Sequence, residues 1–320
     1  MRFAHLLGAC TLALASLAPA RAADEFPARP VKWIVPFQPG GTTDIVARMV
    51  AEKLGQRWRE PLVIENRPGA NGAIGTQAGA RAAADGYTWT FSYNGNMSMN
   101  PALIAKLPYD PAADFIHAAK IVGSPFVLVV HPSVQARSLQ ELIELAKAAT
   151  GKLNAAVGGG AGQLSMALFE SKAGIDLLDV SYKGNAPSLN AVLSGESQLM
   201  FETVAAALPH LRAGKLRGIA VTTPARTPLL PELPPIAESL PGFELTLWFG
   251  VSVPAATPRP LVDRINADLT AIANEPELKD RFAAMGLEPI AGTATQTNDA
   301  VRAEIEMWKR VARDAKIPLQ

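Results

Sequence analysis

At 320 residues the chain is longer than a typical single domain, which predicts two lobes. A formal net charge of +1 gives no electrostatic reason to bind nucleic acid, and 48% hydrophobic against 18% charged residues excludes a disordered chain. Met1-Arg2, the apolar stretch Ala4 to Leu17 and the small residues around Ala18-Pro19-Ala20-Arg21-Ala22 have the layout of a secretory signal peptide, with cleavage expected after Ala22. That stretch is shorter than the roughly 20 residues a membrane span needs. The only cysteine, Cys10, lies inside it, so a thiol, disulfide or cysteine metal site is not expected in the mature chain. Leu7-Gly8-Ala9-Cys10 has the form of a lipoprotein cleavage box, but hardly any apolar sequence precedes it.

Val31 to Phe37 is a β-branched apolar run that suits a strand covered on both faces. Pro39-Gly40-Gly41 then turns into Thr42-Thr43-Asp44 and the periodic apolar positions Ile45, Val46, Met49, Val50 and Leu54, a helix entry. The first turn of a helix has N–H groups without partners, and glycines let an anion approach them. Phe37, Gly40, Gly41 and Thr42 are therefore candidate ligand contacts, the plain alternative being a tight strand-to-helix turn. Asp44 suits the helix dipole and stands four residues before Arg48, which favours a structural role for it.

Leu62 to Glu65 is a second strand and Asn66 to Gly72 a glycine-punctuated turn, with Arg67 an ion-pair partner for Glu65. Tyr87 to Phe91 is a third strand, followed by the polar loop Ser92 to Asn96. Parallel strands set such turns along one rim, where open α/β sheets bind ligands. Asn94 and Asn96 are candidate amide donors there, although loop asparagines also serve as turn formers.

Phe126 to Val130 reads as a buried strand closed by His131-Pro132, and Ser138-Leu139-Gln140-Glu141 as a capping box at the start of a second lobe. The first arrangement then recurs: strand Leu153 to Val157, glycine-rich turn Gly158 to Gln163, helix Leu164 to Lys172. Gly160, Ala161, Gly162 and Gln163 join the candidates. Strands around Asp179 to Tyr182 and Gln198 to Phe201 add Tyr182 and Glu202, with Lys183 a further charge beside the turn; for Glu202 and Lys183 the plain alternative is a solvated side chain. Six prolines from Pro224 to Pro241 predict an ordered loop. Leu245 to Val253 returns as a strand, and Pro260 to Ala273, Pro276 to Met285 and Asn298 to Ala315 are helices.

An exported hydrolase would need a nucleophile and a base, yet there is no Gly-x-Ser-x-Gly elbow, and His117, His131 and His210 stand in contexts that read as structural. His-Glu-x-x-His is absent too, and the glycines at 158 to 162 lack the last one of a dinucleotide fingerprint. No enzyme activity and no cofactor are expected.

Taken in order, Phe26-Pro-Ala-Arg-Pro30-Val31, Val35-Pro36-Phe37, Pro39 to Asp44, Ala47-Arg48, Glu65 to Ala70, Asp85-Gly86-Tyr87-Thr88, Tyr182-Lys183-Gly184, His210 to Lys215 and Trp248-Phe249-Gly250 resemble the blocks of the Bug family, the TctC-like solute-binding proteins of tripartite tricarboxylate transporters. The resemblance implies an α/β, two-lobed periplasmic-binding-protein fold of the type II Venus flytrap kind, with a ligand cleft between the lobes. With chain crossings read near 126–135 and 242–250, the expected division is a signal peptide at 1–22, lobe 1 at 23–130 plus 246–320, and lobe 2 at 131–245. The resemblance implies a periplasmic monomer that captures a small carboxylate solute and presents it to membrane permease subunits; an exported sensor signalling to a membrane partner is the alternative. The expected grip is an amide pincer, with Gly40, Gly41 and Thr42 on one lobe and Gly160, Ala161 and Gly162 on the other. Gln163 stands where relatives commonly have histidine, and Glu202 where they have aspartate.

Overall fold

The computed structural model describes residues 26–319 except Lys183; the expected signal peptide and Cys10 fall outside them. Strands β1 (Val31–Val35), β2 (Leu62–Asn66) and β3 (Thr88–Tyr93) are parallel, in the order β2-β1-β3. Helices α1 (Thr42–Trp58) and α2 (Ala73–Ala80) connect them. Alternating strand and helix sequence produces this crossover geometry because parallel neighbours need a long connection. After β3 the chain enters a five-residue π-helical turn, Gly95–Met99, and the short α3 (Asn100–Leu103). The predicted polar loop at 92–96 is thus the strand end followed by helical turns.

The second half repeats the pattern. Helix α4 (Leu139–Ala148) leads to β5 (Asn154–Gly158), α5 (Gly159–Ala173), β6 (Leu178–Tyr182), α6 (Asn185–Ser194), β7 (Leu199–Thr203), α7 (Val204–Arg212) and β8 (Arg217–Val221). At the start of α4, Ser138 Oγ accepts from Glu141 N at 3.2 Å, while the Glu141 carboxylate reaches one residue past the cap to accept from Arg137 N at 2.7 Å. The glycine-rich segment is not a turn ahead of a helix but the helix itself, since α5 begins directly after β5 at Gly159.

Strand β4 (Phe115–Val130) joins the halves. Its residues 115–125 pair antiparallel with β9 (Thr246–Pro254), which also pairs with β3; its residues 126–130 pair with β7 and β8. The first part of β4 is not evident from the sequence because Gly123-Ser124-Pro125 resembles a strand break. It is the changeover between two sets of partners, and Thr222 Oγ1 accepts from Phe126 N at 2.9 Å just beyond it. The chain ends in α8 (Arg259–Ala273), α9 (Pro276–Ala284), the two-residue β10 (Glu288–Pro289) against β4, and α10 (Ala294–Asp314).

Each half has its own core. Trp33, Trp89, Phe91 and Phe249 pack with Val46, Val50 and Ile265 in one, and Leu128, Phe169, Phe201 and Phe243 in the other. Helix α10 bridges a smaller cluster and the second core: Val301 and Ile305 pack against Tyr109, Phe115 and Trp248, whereas Trp308, Val311 and Ala312 enter the second core. Its i, i+4, i+7 spacing of apolar residues forms the stripe that makes this possible.

Candidate functional site

The C-terminal ends of the parallel strands in both halves face one hollow of about 660 Å³. From the first half come Pro36, Phe37 and Gln38 after β1, the 68–72 segment after β2, Tyr93 at the end of β3, and Gly95 and Asn100 beyond it; from the second come Gly158 at the end of β5, Gly160 and Ala161 beyond it, Tyr182 at the end of β6, and Gly184. Open α/β sheets bind ligands at this position because helix N-termini and backbone amides gather there.

Two helices, α5 and α6, point free N-termini at the hollow, and α2 begins beside it as the continuation of a short 3₁₀ turn (Ala70–Gly72) whose Ala70 carbonyl accepts from Ala73 N. Gly72, Gly158 and Gly184 are the N-cap residues of α2, α5 and α6, all three line the hollow, and none has a side chain to satisfy the first-turn amides. The amides of α5 at Gly160 and Ala161 therefore retain their donor capacity at the wall. Backbone dipoles make this a positive region. Among the described residues that line it there is no Asp, Glu, Lys, Arg or His. Gly72 has φ +86 and a Cβ there would come within 2.9 Å of the Phe37 ring, so the turn and the aromatic wall depend on glycine.

Phe37 and Tyr93 meet edge to face at 5.2 Å between ring centroids. A Cβ on Gly95 would lie 2.1 Å from the Tyr93 hydroxyl, so that glycine makes room for the phenol. Burial pushes the Tyr93 pKa above its ordinary value, with Tyr109 adding to the effect, so the phenol is a neutral donor without a protein partner among the described residues.

The predicted site residues divide into two groups. Phe37, Gly160, Ala161 and Tyr182 come together at the hollow. Gly40, Gly41 and Thr42 are exposed and do not line it. Gly40 N donates to Asp44 Oδ2 at 2.9 Å, so a carboxylate of the chain itself already occupies that amide. Asp44 also accepts from Arg48 Nε and Asn66 Nδ2, each at 2.9 Å, in keeping with its structural reading. Asn96 is fully buried: its Oδ1 accepts from Tyr93 N, and its Nδ2 donates to Thr76 Oγ1 and the Phe91 carbonyl. With its hydrogen bonds used to close the end of β3, it has none for a solute. Asn94 faces a different hollow, beside Lys120, Trp248 and Glu304.

In the second half, Gly162 and Gln163 lie half-buried beyond the hollow. Glu202 is 2% exposed; its Oε1 accepts from Thr203 N at 2.7 Å and from Asn185 Nδ2 at 3.3 Å. Burial raises its pKa, an effect these bonds oppose. It steadies the start of α6 and does not reach the hollow. Tyr182 lines the wall while its hydroxyl donates to Glu196 at 2.9 Å. The lining residues Gln38, Asn71, Tyr93 and Asn100 were not singled out from the sequence. The available signal was their place at or just after the ends of parallel strands.

The sequence signature described as "Tripartite tricarboxylate transporter family receptor" (TctC) matches residues 46–317. The chain belongs to the TctC family. This TctC receptor is 34% identical to Protein BugT of Bordetella pertussis over 313 residues, covering 97% of this chain and 96% of that one. Among solved structures, an R. palustris protein with adipate is 36% identical with a TM-score of 0.76, over 92% of this chain and 100% of the other. MatC from Rhodopseudomonas palustris with bound malate is 30% identical with a TM-score of 0.72, over 89% and 99%. The two-lobed solute-binding fold is therefore that of this TctC receptor as well. No helix among its described residues is long and apolar enough to cross a membrane.

Proposed function

We propose that this TctC receptor captures a small carboxylated solute in the hollow between its halves and presents it to the membrane subunits of a tripartite transporter. The observation that carries this reading is the convergence of the uncapped N-termini of α5 and α6 on a hollow whose described wall has no charged side chain. A carboxylate there is held by amides and neutral donors, each charge-assisted bond contributing about 1.5 to 3 kcal/mol. Micromolar binding needs only about 8 kcal/mol net, so a few such contacts suffice. The relatives solved with adipate and malate support the same class of solute.

The grip we assign is not symmetrical. The α5 amides at Gly160 and Ala161 hold the carboxylate from the second lobe, and Tyr93, Asn71 and the 69–72 turn meet the solute from the first. Gly40 is left to Asp44. The hinge lies where β4 changes partners at Pro125 and Phe126 and where β9 begins at Thr246; residues 126–130 then move with the second lobe, whose strands they pair with. Contacts from both lobes exist together only in the closed form, so solute favours closure by that difference. Residues 1–22 direct export to the periplasm, where the closed receptor meets the permease.

The test is thermal unfolding of the purified receptor against carboxylates and their amides, since a ligand that binds only the folded form raises Tm by mass action. Stabilisation by an acid and not by its amide supports the assignment; equal shifts by both would refute a carboxylate-specific grip.

A further inference from the structure

Resting on the assignment of the hollow as the carboxylate site, we infer that this receptor selects acids without a charged amine and rejects the corresponding amino acids. An ammonium group needs an anion or a cluster of free acceptors to replace its hydration. The described wall of the hollow has no acidic side chain, and the N-termini of α5 and α6 give it a positive potential that repels a cation.

Of the carboxylates on the bordering elements, Asp179 has an Oδ1 without a partner but stands near the start of β6, three residues before the lining residue Tyr182, and does not line the hollow; the others nearby are engaged. Asp44 takes Gly40, Arg48 and Asn66. Glu65 is paired with Lys32 and Arg67. Glu196 accepts from the Tyr182 hydroxyl, and Glu202 from Asn185 and Thr203. The Asn71 carbonyl, a possible acceptor on the first lobe, is taken by Asn100 Nδ2 at 3.3 Å. The body of the solute instead meets Pro36, Phe37, Met99 and Leu103, an apolar surface suited to a methylene chain or a ring.

The experiment is calorimetric titration of the full receptor, freed of copurified solute, with matched pairs: succinate and aspartate, glutarate and glutamate, adipate and 2-aminoadipate, phenylacetate and phenylglycine. At least one amine-free acid is expected to bind tenfold or more tightly than its 2-amino partner. Equal or tighter binding of the amino acids would overturn the inference and leave the carboxylate assignment standing. Failure of all eight to bind would overturn both. A second arm uses Asn71→Asp, which suits the left-handed backbone at φ 51 and puts an anion in the wall. It should reduce the acid-to-amino-acid affinity ratio at least fivefold, and an unchanged ratio would overturn the role given to that wall.

Discussion

Replacing Asp44 by asparagine tests how the first glycine turn is built. Asp44 is 3% exposed and accepts from the Gly40 amide, the Arg48 guanidinium and the Asn66 amide. Burial alone would raise its pKa; the three hydrogen bonds and the Arg48 charge outweigh burial and bring it from 3.8 down to about 2. By linkage that difference is about 2.4 kcal/mol at ~1.36 kcal/mol per pH unit. Arg48 stands half in solvent, so the expected loss at pH 7 is smaller, about 1 to 2 kcal/mol. An asparagine has the same shape, but one of its two ends is an NH₂ that confronts donors. Tm should fall by about 2 to 6 °C. Because the folded pKa lies below the unfolded one, the contribution is present in full above about pH 4 and is lost as pH falls toward 2. Melting curves of both proteins from pH 7 to pH 2.5 provide the assay: the gap should be constant above pH 5 and narrow below pH 4. Equal stability at pH 7, or a gap that does not change with pH, would refute the account of Asp44 as an internal carboxylate on Gly40.

Three further outcomes are expected. Tyr93→Phe should weaken binding of the cognate acid by about 0.5 to 1.5 kcal/mol, roughly two- to twelvefold, with Tm of the empty receptor nearly unchanged; calorimetry showing no change would remove Tyr93 from the site. Gly160→Val places a branched side chain where even a Cβ would lie 2.8 Å from Leu103 Cδ1, so it should obstruct approach of the lobes and lower affinity at least tenfold, measured by the same titration. His117 is buried between Ser252 and the Pro111 carbonyl, and burial brings its pKa down to about 4 despite the latter bond, with the charges of Lys120 and Arg302 adding to the decrease. The neutral ring is favoured in the fold, so its contribution is complete above about pH 6.5 and is lost as pH falls through about 4; His117→Gln should flatten the stability profile across that window.

Much of the fold was legible because its signals are local. Strand, glycine turn and apolar-periodic helix recur in the chain, and each can be read within about twenty residues. Signals that were legible but missed include Thr293 and Gln296, which form a reciprocal capping box at 3.2 and 2.9 Å and start α10 at Ala294, four residues before the expected Asn298. The first part of β4 was hidden for a different reason: its glycine, serine and proline resemble a break until the change of partner strands is known.

The sequence by itself determined that glycines would begin the helices after the strands and leave their first amides without side-chain caps, because glycine offers no side-chain acceptor. Only tertiary structure decided which amides remained available. Gly40 lost its own to Asp44, a carboxylate oriented by Asn66 from a neighbouring strand. Asn96 was absorbed by Thr76 and the end of β3, and Glu202 by the start of α6. The first-turn amides of α5 at Gly160 and Ala161 stayed open at a rim where strands distant in sequence end together, so the position of the site follows from long-range pairing and not from any single motif.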